Sequence, residues 1–148
     1  MASSIEETRK RFSRKIRILP EQARGDVTAA MRVGADEVRA LQKRLVPTDE
    51  HELQKSINWG FGDAPKGRGA LSSGSGLATS GDVKISIWAG GFKAFYARWV
   101  EFGTKGSEGH AATRAQPFFY PAWRALKRRV KSRVTRAGTK AIKKAAKG

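Results

Sequence analysis

The chain has 148 residues, enough for one domain with a genuine core, and carries 30 Lys+Arg against 13 Asp+Glu, a formal net charge of +17 at pH 7. The absence of cysteine excludes a disulfide framework, thiolate chemistry and a zinc–thiolate site. No apolar run is long enough for a membrane span and no signal-peptide core opens the chain, so synthesis and residence in the cytoplasm are expected. The charge imbalance attracts polyanions: nucleic acid, anionic lipid or an acidic protein surface.

Residues 1–19 read as a basic N-terminal arm. Ser4 and Glu7 have capping-box spacing, and Ile5, Phe12, Ile16 and Leu19 line one face, set among Arg9, Lys10, Arg11, Arg14, Lys15 and Arg17. Such a segment is expected to become an ordered helix when a partner covers its apolar face. After Pro20, Glu21–Leu45 has helical periodicity, with Val27, Met31, Ala35, Val38, Leu41 or Gln42, and Leu45 at spacings of three and four. Acids lie toward its start and bases toward its end, which suits the helix dipole, and Pro47 stops it.

Pro47–Leu53 reads as a turn, and Gln54–Phe61 as a strand with Ile57, Trp59 and Phe61 on one face. Asp82–Ala89 repeats the alternation, with Val83, Ile85 and Ile87 facing one way and Lys84 and Ser86 the other. The two strands are expected to pair antiparallel. Between them, residues 60–81 hold seven glycines and four serines, a composition that cannot bury enough apolar surface to offset its ordering entropy. This segment is expected to be a flexible loop that orders in an assembly and can be deleted without loss of the fold.

Phe92, Phe95, Tyr96, Trp99 and Val100 fall at i, i+3, i+4, i+7 and i+8, which predicts a short helix over Lys93–Phe102 with those residues buried. Gly103 stands where a left-handed cap needs a residue without Cβ. Thr104–Ala115 reads as a second mobile loop. Pro121 then opens a last helix, with Trp123, Leu126, Val130, Val134, Ala137 and Ala141 as its buried stripe. From Arg124 to the end there are eleven Lys/Arg and no acid, and 143–148 read as a fraying basic tail.

Chemistry is sparse. His51 sits between Glu50 and Glu52, but adjacent residues rarely converge on one ion, so no metal is expected. Ser73-Gly74-Ser75-Gly76 lacks the strand–turn–helix context of a nucleophile elbow, and no Gly-Lys-Ser/Thr follows the loop glycines to make a phosphate cradle. Glu101, set among aromatics, is expected to pair with Arg98 or a C-terminal arginine. Trp59, Trp88, Trp99 and Trp123 offer stacking surfaces, but periodicity buries all except Trp88. No catalytic residue, cofactor or metal is assigned, and no motif for reading base sequence is present; salt-sensitive contact with a DNA backbone is compatible with the charge.

Two runs carry a resemblance. Tyr96-Ala97-Arg98-Trp99-Val100-Glu101-Phe102-Gly103-Thr104, followed by Gln116-Pro117-Phe118-Phe119-Tyr120-Pro121-Ala122 and a charged helix, resembles the tail-completion, or head–tail joining, family of minor structural proteins of long-tailed bacteriophages. More loosely, Val46-Pro47, Asp49, Leu53 and Ser56-Ile57 are similar to that family's entry into its first strand, although Glu50-His51 replaces its usual Thr-Gly. The resemblance covers roughly residues 27–145. It implies an α+β subunit: a small antiparallel sheet packed by a long N-terminal helix, a short central helix and a basic C-terminal helix. Residues 20–142 would form the neck domain, flanked by the arm and the basic tail.

The resemblance further implies a six-fold ring in the virion neck, touching connector proteins, the tail terminator or tube, and DNA passing through, with no membrane. Tyr96, Trp99, Val100, Glu101, Phe102, Gly103, Thr104, Pro117, Phe118 and Pro121 carry the motif. The candidate DNA or partner contacts are Arg9, Lys10, Arg11 and Arg14 in the arm, Lys66, Arg68 and Lys105 in the loops, and Arg128, Arg129, Lys131 and Arg133 in the last helix. The alternative is a nonspecific basic DNA-binding or architectural protein.

Overall fold

The computed structural model describes residues 4–17, 21–66, 70–72, 78–80, 83–91 and 93–147. Leu19, Pro20, Arg68, the Ser73–Gly76 run, Gly81 and Phe92 lie outside them, as do the side chains of Ile5, Arg9, Phe12, Lys15, Ile16, Arg17 and Val83. The elements in chain order are α1 (Ser4–Arg17), α2 (Glu21–Leu45), α3 (His51–Ser56), β1 (Asn58–Phe61), β2 (Leu71–Ser72), β3 (Ala78–Ser80), β4 (Val83–Ala89), α4 (Ala97–Phe102) and α5 (Tyr120–Lys147). The fold is α+β, as expected.

The two long helices form the frame. On α2 the buried positions are Val27, Met31, Gly34, Ala35, Val38 and Gln42, with Val46 just beyond the helix, while Leu45 stays 42% exposed. The stripe therefore resolves to Gln42 rather than Leu41, and Leu45 falls off it. Facing it, α5 buries Ala122, Val130, Val134, Gly138 and Ala141. Gly138 takes the place expected for Ala137, and α5 stays helical through Lys147, past the point where fraying was expected.

The approach of α2 to α5 depends on Gly34: a Cβ there would lie 2.6 Å from Val130 Cγ1, and β-branched valine has little rotamer freedom with which to yield. A pair across the same helices is ionic, with Arg133 donating to Glu37 at 2.8 Å.

The sheet is antiparallel with β4 at its centre. Asn58–Phe61 pairs with Ile85–Trp88 on one edge. On the other edge β2 and β3 lie along the same strand, Leu71 opposite Ala89 and Ser80 opposite Val83. Ile85, Ile87 and Ala89 face the core. Ser86, on the opposite face, is also buried, and its hydroxyl is satisfied by donating to the Gly62 carbonyl at 2.7 Å.

Three expectations are corrected here. His51–Ser56 is a helical turn, not turn plus strand, so β1 begins only at Asn58. Glu50 precedes it without a side-chain cap, and Leu53 anchors it in the core. Second, the Gly/Ser segment is not a free loop throughout. Leu71 is buried and Ser72 accepts a hydrogen bond from the Tyr120 hydroxyl at 3.3 Å, so removing 60–81 whole would strip a sheet edge and a core residue. Third, Thr104–Ala115 is a narrow hairpin: Thr104 and Thr113 exchange backbone hydrogen bonds, as do Ser107 and His110.

Candidate assembly surface and the latch beneath it

The central helix is shorter than expected and turned the other way. Residues 93–96 form turns, α4 starts at Ala97, and the buried side is Ala94, Ala97 and Glu101. The aromatic stripe read from the sequence has its outer members in solvent, Phe95 45% and Trp99 53% exposed, and Phe102, outside that stripe, joins them at 62%. Tyr96 and Val100 are half-buried at its border. Phe95 and Trp99 meet edge to face, their centroids 5.6 Å apart, and Phe102 lies tilted against Tyr120 at 5.9 Å. Helical periodicity reveals that a stripe exists but not which side the core occupies. Here small Ala94 and Ala97 let α4 approach the core closely, and the bulky side is left outside.

Beneath the stripe, Glu101 is 3% exposed. It pairs with neither Arg98 nor a C-terminal arginine. One carboxylate oxygen accepts the backbone N–H groups of Phe118 at 2.8 Å and Phe119 at 2.9 Å, and the other accepts that of Tyr120 at 3.1 Å. These donors open α5, whose first N–H groups have no intrahelical acceptor, and the positive end of the helix dipole favours a carboxylate there. Pro121, in the first turn, has no N–H to satisfy.

The seam is closed from other sides as well. The Gln116 N–H donates to the Val100 carbonyl at 2.7 Å, and the Gln42 amide donates to the Phe119 carbonyl at 3.2 Å. Phe118 and Phe119 are fully buried. The two motif runs are thus one object: the first supplies the cap for the helix that the second begins. Neither charge nor periodicity signals this, because the cap comes from a residue far away in sequence.

Gly103 ends α4 with φ 72° and ψ 178°, a positive φ but an extended ψ rather than the left-handed helical cap expected. A Cβ there would stand 2.7 Å from both Ala115 N and Thr113 O, so glycine is required twice over, by conformation and by space. From it the chain enters the hairpin at Thr104. Between the hairpin, α4 and the start of α3 lies a cleft of about 950 Å³ lined by Asp49, Glu50, Tyr96, Trp99, Val100, Thr104, Lys105 and Arg114 among others. Burial, followed by a hydrogen bond to Glu50, pushes the Tyr96 phenol above its ordinary value.

The remaining candidates scatter. Pro117 is exposed and Pro121 half-buried; Lys10, Arg11 and Arg14 form an exposed patch on α1. Lys66, Arg128 and Lys131 are exposed. Arg133 is held by Glu37 at 2.8 Å, whereas Arg129 comes within 3.7 Å of the same carboxylate but keeps its side chain 64% exposed. The Arg133 hydrogen bond holds the Glu37 carboxyl below its ordinary range, against the opposing effect of burial. Trp99 is on the surface, and the Trp59 indole N–H is held by Asp36 at 2.7 Å. Trp88 lies over Gly60. No group of His, Asp or Glu suited to a metal ion occurs among the described residues, and no helix among them is long and apolar enough to cross a membrane.

A small α+β chain with a latched interior and a bare aromatic face has the form of a structural subunit. Residues 10–103, more than half of the chain, match the model of the HK97-gp10-like family, described as a bacteriophage tail component. The chain belongs to that family, a family of structural tail components and not of enzymes, which places the protein in the virion. No curated protein and no solved structure matches it. The matched span begins within α1 and stops at Gly103, so it holds Glu101 but not the Phe118–Tyr120 backbone that Glu101 caps.

Proposed function

We propose that this tail component is a neck subunit: six copies close into a ring at the head–tail junction, join the tail to the capsid connector and leave a channel for DNA. The observation that carries this reading is the exposed aromatic face formed by Phe95, in the turn before α4, and Trp99 and Phe102 on α4. Large aromatics grouped on a surface are typical of interface anchors. Subunits of net charge +17 repel one another, so contacts between copies need an apolar or charge-compensating source of attraction. In a ring each copy presents the same patch to a different surface of the next, and the series closes.

On this reading the protein is made in the host cytoplasm and touches connector proteins on one side and the tail terminator or tube on the other. Residues 20–142 are the ring-building domain, with the basic arm and the end of α5 reaching neighbours or the channel. The work is mechanical, and no catalytic step is assigned.

The test is negative-stain microscopy of particles from cells lacking this gene. DNA-filled heads beside separate finished tails are expected. Tails of uncontrolled length would reassign the protein to tail termination, and normal joined particles would overturn the neck reading in favour of a DNA-binding role.

A further inference from the structure

We propose that the distal half of α5 carries a binding face for the phosphate backbone of duplex DNA. Arg136, Lys140, Lys143, Lys144 and Lys147 fall at i, i+4, i+7, i+8 and i+11, a stripe about 100° wide and about 16 Å long. They line a shallow groove of about 570 Å³ that also takes in the hydroxyl-bearing Thr135 and Thr139. Burial of Gly138 and Ala141 against the core fixes the rotation of the helix, so the stripe cannot turn inward.

The charge of α5 is divided. Arg129 and Arg133 lie on the same side of the helix, one to two turns earlier, and there Glu37 of α2 compensates them. Beyond them no ion pair joins the five distal cations to an acid among the described residues, and α5 itself contains no carboxylate. The binding face is therefore this distal stripe, where five cations share one side of the helix, rather than Arg129 and Arg133, which face Glu37.

Duplex DNA is the occupant that this chemistry favours. DNA carries one negative charge per about 1.7 Å of axis, so the stripe spans several phosphates. Hydroxyls beside the cations add neutral donors for phosphate oxygens. A membrane-docking helix needs apolar residues beside its cations, whereas Ala141 is buried in the core and Ile142 packs against it. The stripe consists of one arginine, four lysines and two threonine hydroxyls, groups suited to phosphate oxygens, and binding is expected to follow charge rather than sequence. The inference deepens the neck reading and rests on it only for where in the particle DNA is met.

The test uses the full chain and fluorescence anisotropy of a labelled short duplex across a salt series. Five phosphate contacts give a slope of log K against log salt of about −4.5, and the K140Q/K143Q/K144Q variant should lose about 2.7 of it. Arg133→Gln, which removes a group already held by Glu37, should leave the slope unchanged, and two duplexes of different sequence should bind alike. An unchanged slope in the triple variant, with its melting temperature equal to the parent's, would overturn the proposal. So would tighter binding to phosphatidylserine vesicles or to polyglutamate than to DNA at the same salt. Light scattering on the same variants separates the two readings: a monomeric parent with the expected slope loss defeats the ring alone, and an intact ring with unchanged slope defeats the DNA face alone.

Discussion

The two faces of α4 invert the usual rule of burial. Its inner face holds an ionisable glutamate at 3% exposure, while Trp99 and Phe102 on its outer face are more than half exposed. Burying a carboxylate without partners is costly, but here three N–H groups and a helix dipole replace the lost water. The aromatics receive no comparable compensation within the chain. One side of the helix is thus complete in the monomer and the other is not, which separates residues that hold the fold from residues available to a neighbour.

The sharpest way to break this contrast is Glu101→Ala. Losing the carboxylate strands three backbone donors in the core, and a cost of about 3–5 kcal/mol is expected by urea denaturation. A loss under about 1 kcal/mol would show that the latch is not a main support of α5. Next comes Gly103→Val, which adds positive-φ strain to a clash with the Thr113–Ala115 backbone; about 2–4 kcal/mol and a clear fall in melting temperature are expected. An unchanged melting temperature would remove the hairpin junction from the account.

Glu37→Gln probes the α2–α5 seam away from α4, and its effect is smaller. The folded pKa of Glu37 lies below its ordinary 4.5, so its contribution is present above that value and is lost as pH falls through the folded pKa. Both partners retain solvent contact, which keeps the effect under about 1 kcal/mol. Comparing acid-unfolding curves of parent and variant between neutral pH and the acid range should show the difference shrink on acidification. A difference that grew instead would contradict this sign.

The smallest stability effect belongs to the outer face. Replacing Phe95, Trp99 and Phe102 together by serine should change monomer stability by no more than about 1 kcal/mol while abolishing self-association in sedimentation velocity. A triple variant that still assembles would end the role proposed for this face.

Much of the fold was legible locally. The bounds of α2 follow from its periodicity and Pro47, and the pairing of β1 with β4 follows from two alternating runs. The Gly/Ser segment was harder to read, because Leu71 and Ser72 gain structure only by meeting the free edge of β4 and, for Leu71, the core behind it. His51–Ser56 is too short for periodicity to distinguish a helical turn from a strand start. The motif runs were recognisable as words, yet their meaning as a cap and a capped helix required both to be seen in contact.

What this sequence determined alone is its family, its α+β character, its helix frame and its excess of positive charge. These depend on local pattern and composition, which are properties of neighbouring residues along the chain. Which side of α4 faces inward, what Glu101 binds and which cations on α5 stay unpaired were decided only by the tertiary structure. Each depends on a partner distant in sequence: the α5 backbone for Glu101, the core for α4 and Glu37 for Arg133. A periodic stripe specifies a face, and only packing against the rest of the molecule specifies where that face points.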